Sequence, residues 1–374
     1  MKPGSGALGG ARIAFFDEMR ALAIIPVVIH HYYSPWLIGG GVGVGVFFGL
    51  SGFLIGSLLL DLKEFNIREA TKFIFRRFMR IYPTYLFTAV AAIILSDMAG
   101  NLERKSDIIA ALPSILTFTE MPKWLGFGIG VMWTLHVEFW FYVTLPIAML
   151  IFGRERAIII FAIMLLGLGV LSYFRADLGQ FLPLRYGMAL APGTLVALAW
   201  KKNWLQHVKF GSLGWLLVTA VAAVVYLWTL EHKPFSHWMF QVMAASLCAC
   251  AMIIAFLNDD RLQILPFSWW IGRISYSMYL MHGLVIDYGI TTLPISPFLP
   301  NYGRASLLFA LVLIVVSTLS FLLIETPGIW IGRKLSALWW GKSQPRKPDQ
   351  VAAQQPSNGP SVSGDNGDRA RNSV

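Results

Sequence analysis

The sequence predicts an all-α, polytopic integral membrane protein with about ten transmembrane helices and both termini in the cytoplasm. Three observations carry this reading. Hydrophobic residues make up 56% of the 374 and charged residues 13%, against roughly 25% charge in a soluble domain, and mean hydropathy is +0.62. The apolar residues gather in runs of about 20, the length a helix needs to cross a hydrocarbon core. With the N-terminus inside, 23 of the 30 Lys and Arg fall on cytoplasmic segments. That is the asymmetry of the positive-inside rule, and a shift by one helix reverses it.

Taken in order, the spans lie near residues 17–38, 41–61, 81–100, 125–152, 157–174, 181–200, 212–230, 237–257, 274–293 and 304–325. The second run, GVGVGVFFGLSGFLIGSLLL, has glycines at 41, 43, 45, 49, 52 and 56, which admit close helix packing. Lys63 to Arg80 form a basic inner segment before the third span, and residues 101–123 follow it as an interfacial outer element. Arg154 and Arg156, then Lys201 to Lys209, then Arg261 and Arg273, mark three further inner turns. Arg333 onward closes the series inside, whereas Arg104, Lys105, Lys123, Arg175, Arg185, Lys233 and Arg304 stay outside.

The net charge of +10 sits at helix ends, where membrane lipid headgroups take it up. No nucleic-acid partner is therefore expected. Cys248 and Cys250 share one apolar run and read as packing residues. Residues 1–11 read as a cytoplasmic N-terminal tail, 12–341 as the membrane domain and 342–374, rich in Pro, Gly, Ser and Gln, as a disordered cytoplasmic tail. Asp17 and Glu18 precede the first apolar run and no small-residue site follows within it, so a cleaved signal peptide is not expected. The sequence says nothing about oligomeric state.

The chemistry begins in the first span. Arg20 and His31 are eleven residues apart, so on a helix they differ by about 20° in direction and about 16 Å in height. Asp17 lies about 40° from His31, whereas His30 points about 80° away from Arg20. Asp17, Arg20 and His31 thus form a polar stripe, and ionisable groups at that depth line cavities or paths. Taken singly, a membrane histidine also serves as a packing residue, and His30 keeps that reading. Adjacent helix residues diverge by about 100° and ligate one ion poorly, so no metal is expected. Arg77 and Arg80 share a helical face ahead of Pro83, a guanidinium fork suited to a phosphate. The alternative is an anchor for headgroups, which is the reading for Arg76. Ser275, Tyr279 and His282 recur at spacings of four and three, one polar face within a span. Glu138 lies deep in an apolar run and needs a buried partner.

The stretches FFDEMRALAIIPVVIHH, GVGVFFGLSGFLIG, FIFRRFMRIYP, MWTLHVEFWFYVTLP, IGRISYSMYLMH and LLIETPGIWIGRKL occur in the order seen in the acyltransferase-3 family of integral-membrane O-acyltransferases. The resemblance covers residues 12 to 338. It implies transfer of an acyl group, commonly acetyl from acetyl-CoA, to a hydroxyl of a carbohydrate, glycolipid or other envelope acceptor in the bacterial inner membrane. The family's arginine-to-histidine pattern falls on Arg20 and His31, its preceding acid on Asp17 and its paired arginines on Arg77 and Arg80. Trp133, Glu138, Ser275, Tyr276, Ser277, Tyr279, His282 and Glu325 match its later motifs. Many members carry an acid where this chain has Gly45.

On this reading His31 is the base, or alternatively carries the acyl group as an acyl-histidine intermediate, with Asp17, Arg20, Glu138 and His282 as catalytic partners. Arg77, Arg80 and Arg20 hold the phosphates of acyl-CoA, which is a donor substrate and not a resident cofactor. Trp133, Ser277, Tyr279 and Glu325 support the substrate or the fold, Glu325 by tying the last helix to a basic loop. Ser51 in GLSGF lacks the strand-to-helix setting of a nucleophile elbow. The rival from another class is a proton-coupled secondary transporter or flippase, which also uses midmembrane histidine and glutamate.

Overall fold

The structure, a computed structural model, describes residues 10–32, 40–119, 125–174, 185–207, 214, 216–217, 219–220, 238–258, 268–289 and 302–341. The tails at 1–9 and 342–374, most of the 212–230 span, and Lys123, Arg175 and Lys233 lie outside the described residues. Among the described residues all regular structure is helical.

The helices are α1 Gly10–Tyr32, α2 Gly41–Asp61, α3 Ile67–Met98, α4 Leu102–Thr117, the short α5 Gly126–Gly130, α6 Trp133–Phe152, α7 Arg154–Phe174, α8 Ala191–Lys201, α9 Trp238–Asn258, α10 Trp269–Gly289, α11 Tyr302–Ser320 and α12 Thr326–Trp340. A 3-10 turn, Gly187–Leu190, leads into α8, and a π turn, Phe321–Glu325, joins α11 to α12. Among the described residues, six helical stretches are long and apolar enough to cross a membrane: Gly41–Asp61, Ile67–Met98, Gly128–Phe152, Arg154–Ser172, Met239–Leu257 and Ser306–Trp340. Helices α1 and α10, of 23 and 21 residues, are as long but carry the charged and polar residues of the site.

Two elements run further than their apolar patterns suggest. α3 begins at Ile67 and not at 81, because Asn66 caps it by accepting a hydrogen bond from the Glu69 backbone N–H at 3.1 Å. Pro83 sits inside this helix and cannot donate to the Met79 carbonyl. Gly328 of α12 packs against that turn of α3, where a side chain would meet Met79 O and the Pro83 ring. The last run does not stop at 325. Its π turn rearranges the bonding just before Pro327, which then sits in the first turn of α12, where a missing N–H costs nothing.

α2 lies at the centre, packed on α1, α8 and α9. A Cβ on Gly43 would collide with the Ala23 carbonyl of α1, and one on Gly45 with the Val242 carbonyl of α9. Position 45 therefore has no space for an acid. α1 and α10 cross at Gly272, where a Cβ would run into the Asp17 carbonyl.

Polar contacts divide between two ends of the bundle. At one end Lys201 pairs with Asp61, Lys202 with Glu155 at 2.5 Å, Arg154 donates to Leu62 O, and Arg68 and Lys72 donate to the Trp340 and Gly341 carbonyls at 2.6 and 2.8 Å. At the other, Arg104 pairs with Asp287, Lys105 with Asp97 at 2.6 Å, and Ser96 with Tyr288 at 2.7 Å.

Candidate active site

Between α1, α2, α3, α6, α10 and the π turn lies a cavity of about 470 Å³, within the roughly 300–1,000 Å³ of small-molecule sites. α2 presents to it the stripe Val44, Phe47, Phe48, Ser51, Leu54 and Ile55, spaced by three and four as one helical face. The glycines of α2 that seat it on α1, α8 and α9 point elsewhere.

Five arginines, Arg20, Arg77, Arg80, Arg273 and Arg333, line the cavity with three carboxylates, Asp17, Glu138 and Glu325. The carboxylates are largely spoken for. Asp17 accepts from Arg20 at 2.6 Å and lies 3.7 Å from Arg273. Ser51 Oγ donates to Glu138 Oε1 at 2.5 Å, and Ser277 Oγ donates to Glu325 Oε2 at 2.9 Å. Arg77 is held between aromatic faces, 5.5 Å from the Phe73 centroid and 5.7 Å from that of Tyr142. Such stacking orients a guanidinium and leaves its N–H edge for an anion. Among the described residues, Arg77, Arg80 and Arg333 form no salt bridge. Five guanidinium groups against three carboxylates leave the lining with an excess of positive charge, which favours a polyanionic ligand.

The histidines lie beyond this cavity's wall. His31 and His282 are not among its lining residues, but their rings meet with His31 Nδ1 3.2 Å from His282 Nε2. His31 Nδ1 also lies 2.9 Å from the Val27 carbonyl. A carbonyl only accepts, so in the neutral ring Nδ1 carries the proton and Nε2 the lone pair. Tyr279 stands between cavity and histidines. Its hydroxyl donates to Val131 O at 2.7 Å and accepts from Thr134 at 3.0 Å, and its ring lies 5.7 Å from that of His282.

The structure therefore brings together Asp17, Arg20, Arg77, Arg80, Glu138, Tyr279 and Glu325 around one cavity, with Ser277 behind Glu325. It sets His31 with His282 one ring away. Trp133 packs behind the wall, 4.7 Å from Tyr186 and 6.4 Å from Phe48. Glu325 is 2% exposed, and the π turn holds it beside Ser277, with Arg80 and Arg20 the cations that act on it. One expectation is corrected. Arg76 is not simply a headgroup anchor, since its Nε donates to Ser336 Oγ at 2.7 Å and helps bind α12 to α3. Sequence reasoning missed Ser51, Arg273 and Arg333 as lining residues. Arg273 and Arg333 read only as inner-side charge, and Ser51 only as a helix serine without the setting of a nucleophile elbow. Among the described residues no group of three or more His, Cys, Asp or Glu is arranged to hold a metal ion.

A profile for the acyltransferase domain of acyltransferase-3 proteins matches residues 13–326. The chain belongs to the acyltransferase-3 family. The matched stretch takes in five of the six motifs whole and the start of the sixth. Peptidoglycan O-acetyltransferase OatA of Listeria monocytogenes is 28% identical to this acyltransferase-3 chain over 361 residues, covering 83% of the chain and 55% of OatA. A Staphylococcus aureus protein that carries an O-acetyltransferase name is 25% identical over 349 residues, covering 83% and 56%. The chain thus spans about half the length of the curated relatives it matches. No solved structure matches it.

Proposed function

We propose that this protein is a membrane O-acyltransferase that moves an acyl group, acetyl, from acyl-CoA to a hydroxyl of a cell-envelope glycan. One observation carries the donor assignment: the cavity gathers five arginines against three carboxylates, and among the described residues Arg77 and Arg80 form no salt bridge. CoA supplies the phosphates for them, with Arg20, Arg273 and Arg333 nearby. Its slender pantetheine arm then runs toward the Tyr279 wall. Names given to relatives favour peptidoglycan as the acceptor class.

In the reaction, the acceptor oxygen attacks the thioester carbonyl carbon while His31 Nε2 takes the hydroxyl proton. The C–S bond breaks, the CoA thiolate takes that proton, and an ester remains on the glycan. His282 accepts from His31 Nδ1–H and keeps Nε2 aimed. The cavity stops at Tyr279, whose ring lies 5.7 Å from that of His282, which leaves the thioester one ring from the base.

The topology in this reading has ten spans, both termini cytoplasmic, in the bacterial inner membrane. The division of polar contacts supports it, since residues assigned to the same side bond to one another. Purified full-length protein in detergent should gain thermal stability from CoA, and less from its pantetheine portion alone. A transporter or flippase predicts no such shift, and its absence at millimolar CoA would remove the donor.

A further inference from the structure

The cavity changes character along its length. Arginines crowd one end, and Val44, Phe47 and Phe48 line the other, next to the ring that covers His282. Tyr279 is a fixed wall there, because two hydrogen bonds hold its hydroxyl. The α2 backbone is equally fixed. A Cβ on Gly45 or Gly52 would strike the Val242 or Leu190 carbonyl, so the helix is seated on neighbours to either side and carries Phe47 at a set height. The Phe47 ring is only partly buried and meets Tyr279 edge-on, at 6.3 Å between centroids and 74° between planes. With backbone and wall both held, the size of this one side chain determines how much room the apolar end has.

Resting on the acyl-CoA reading above, we propose that Phe47 sets the acyl-chain length of the donor. The polar end takes the phosphates, which turns the acyl group toward Phe47. The ring leaves space for a short acyl group and refuses a longer one. A hydrophobic pocket that accepts or refuses one methylene discriminates by about 10–200-fold, enough for a single aromatic ring to choose between acetyl and butyryl.

The test measures Kd for acetyl-CoA, butyryl-CoA and hexanoyl-CoA by thermal stabilisation of the purified full-length protein. Binding needs no acceptor. In wild type, acetyl-CoA should bind more tightly than butyryl-CoA. Phe47→Ala should raise the affinity of butyryl-CoA relative to acetyl-CoA by about tenfold or more, and Phe47→Leu, which keeps an apolar helix-forming side chain, by a smaller factor in the same direction. An unchanged ratio in Phe47→Leu overturns the proposal, whether or not Phe47→Ala folds. So does a folded, inserted Phe47→Leu that has lost all acyl-CoA binding, because the ring would then anchor the donor and not limit it. If wild type binds no acyl-CoA of any length, the donor reading itself falls, an outcome distinct from an unaltered ratio.

Discussion

His31 has its Nδ1 proton committed to the Val27 carbonyl and to His282, which confines its basicity to Nε2. His30, its neighbour, meets it only edge-on, with ring centroids 5.1 Å apart. His31→Ala should therefore lower acyl transfer by about 10²–10⁴-fold, the usual worth of a positioned base, with insertion intact. His30→Ala should cost less than about tenfold on the same scale. Ester-linked acetate on envelope glycans, measured in cells carrying each variant at equal protein level, decides between them. Equal losses would sink the argument from helix face. The Asp17, Arg20 and His31 alignment was legible because one helix turns by a known angle. The Ser51 and Glu138 pair was not, since the partners are 87 residues apart and neither local stretch encodes a register between α2 and α6. The five-arginine cluster was hidden for a related reason: Arg273 and Arg333 carry the same inner-side charge whether they face lipid or cavity.

At the scale of the element, α3 joins two jobs that its sequence runs together. One set of its basic residues, Arg68, Lys72 and Arg76, binds the C-terminal half of α12 through the Trp340 and Gly341 carbonyls and Ser336. These contacts complement the negative end of that helix. The other set, Arg77 and Arg80, turns into the cavity. Arg77→Ala and Arg80→Ala should each raise KM for acetyl-CoA more than they lower turnover, because a phosphate contact is made equally in ground and transition states. Initial-rate kinetics in reconstituted vesicles would show it. Unchanged KM with reduced expression would instead make both residues part of the α12 attachment. Helix existence here was readable from apolar periodicity, but the helix start was not. Apolar runs mark where lipid begins, whereas a capping Asn66 and a tolerated Pro83 mark where the hydrogen-bond ladder begins and loses a donor.

For the whole molecule, the count of Lys and Arg predicted sidedness before any contact was known, and the contacts sort into the same two groups. Long apolar helices were legible as spans for the same reason that they cross: composition decides. α1 and α10 carry charge because they line the site, yet each still reads in the sequence as an apolar run, near residues 17–38 and 274–293. Cysteine replacing Ser296 should react with a membrane-impermeant thiol reagent in intact cells, and cysteine replacing Ser343 should not. Both positions lie outside the described residues, so labelling tests the topology independently of the packing. Reaction at 343 from outside would turn the arginine cavity away from cytoplasmic CoA and end the donor mechanism.

The crossing at Gly272 has a mechanical consequence. α1 and α10 touch at Asp17 and Gly272 and again at His31 and His282, so they run side by side in the same direction. Along the helices these joints are separated by about 21 Å on α1 and about 15 Å on α10. Two struts pinned at both ends form a truss, and a truss tilts as one body. When the bundle leans to suit a thinner or thicker bilayer, both histidines travel with it and their spacing is carried along unchanged.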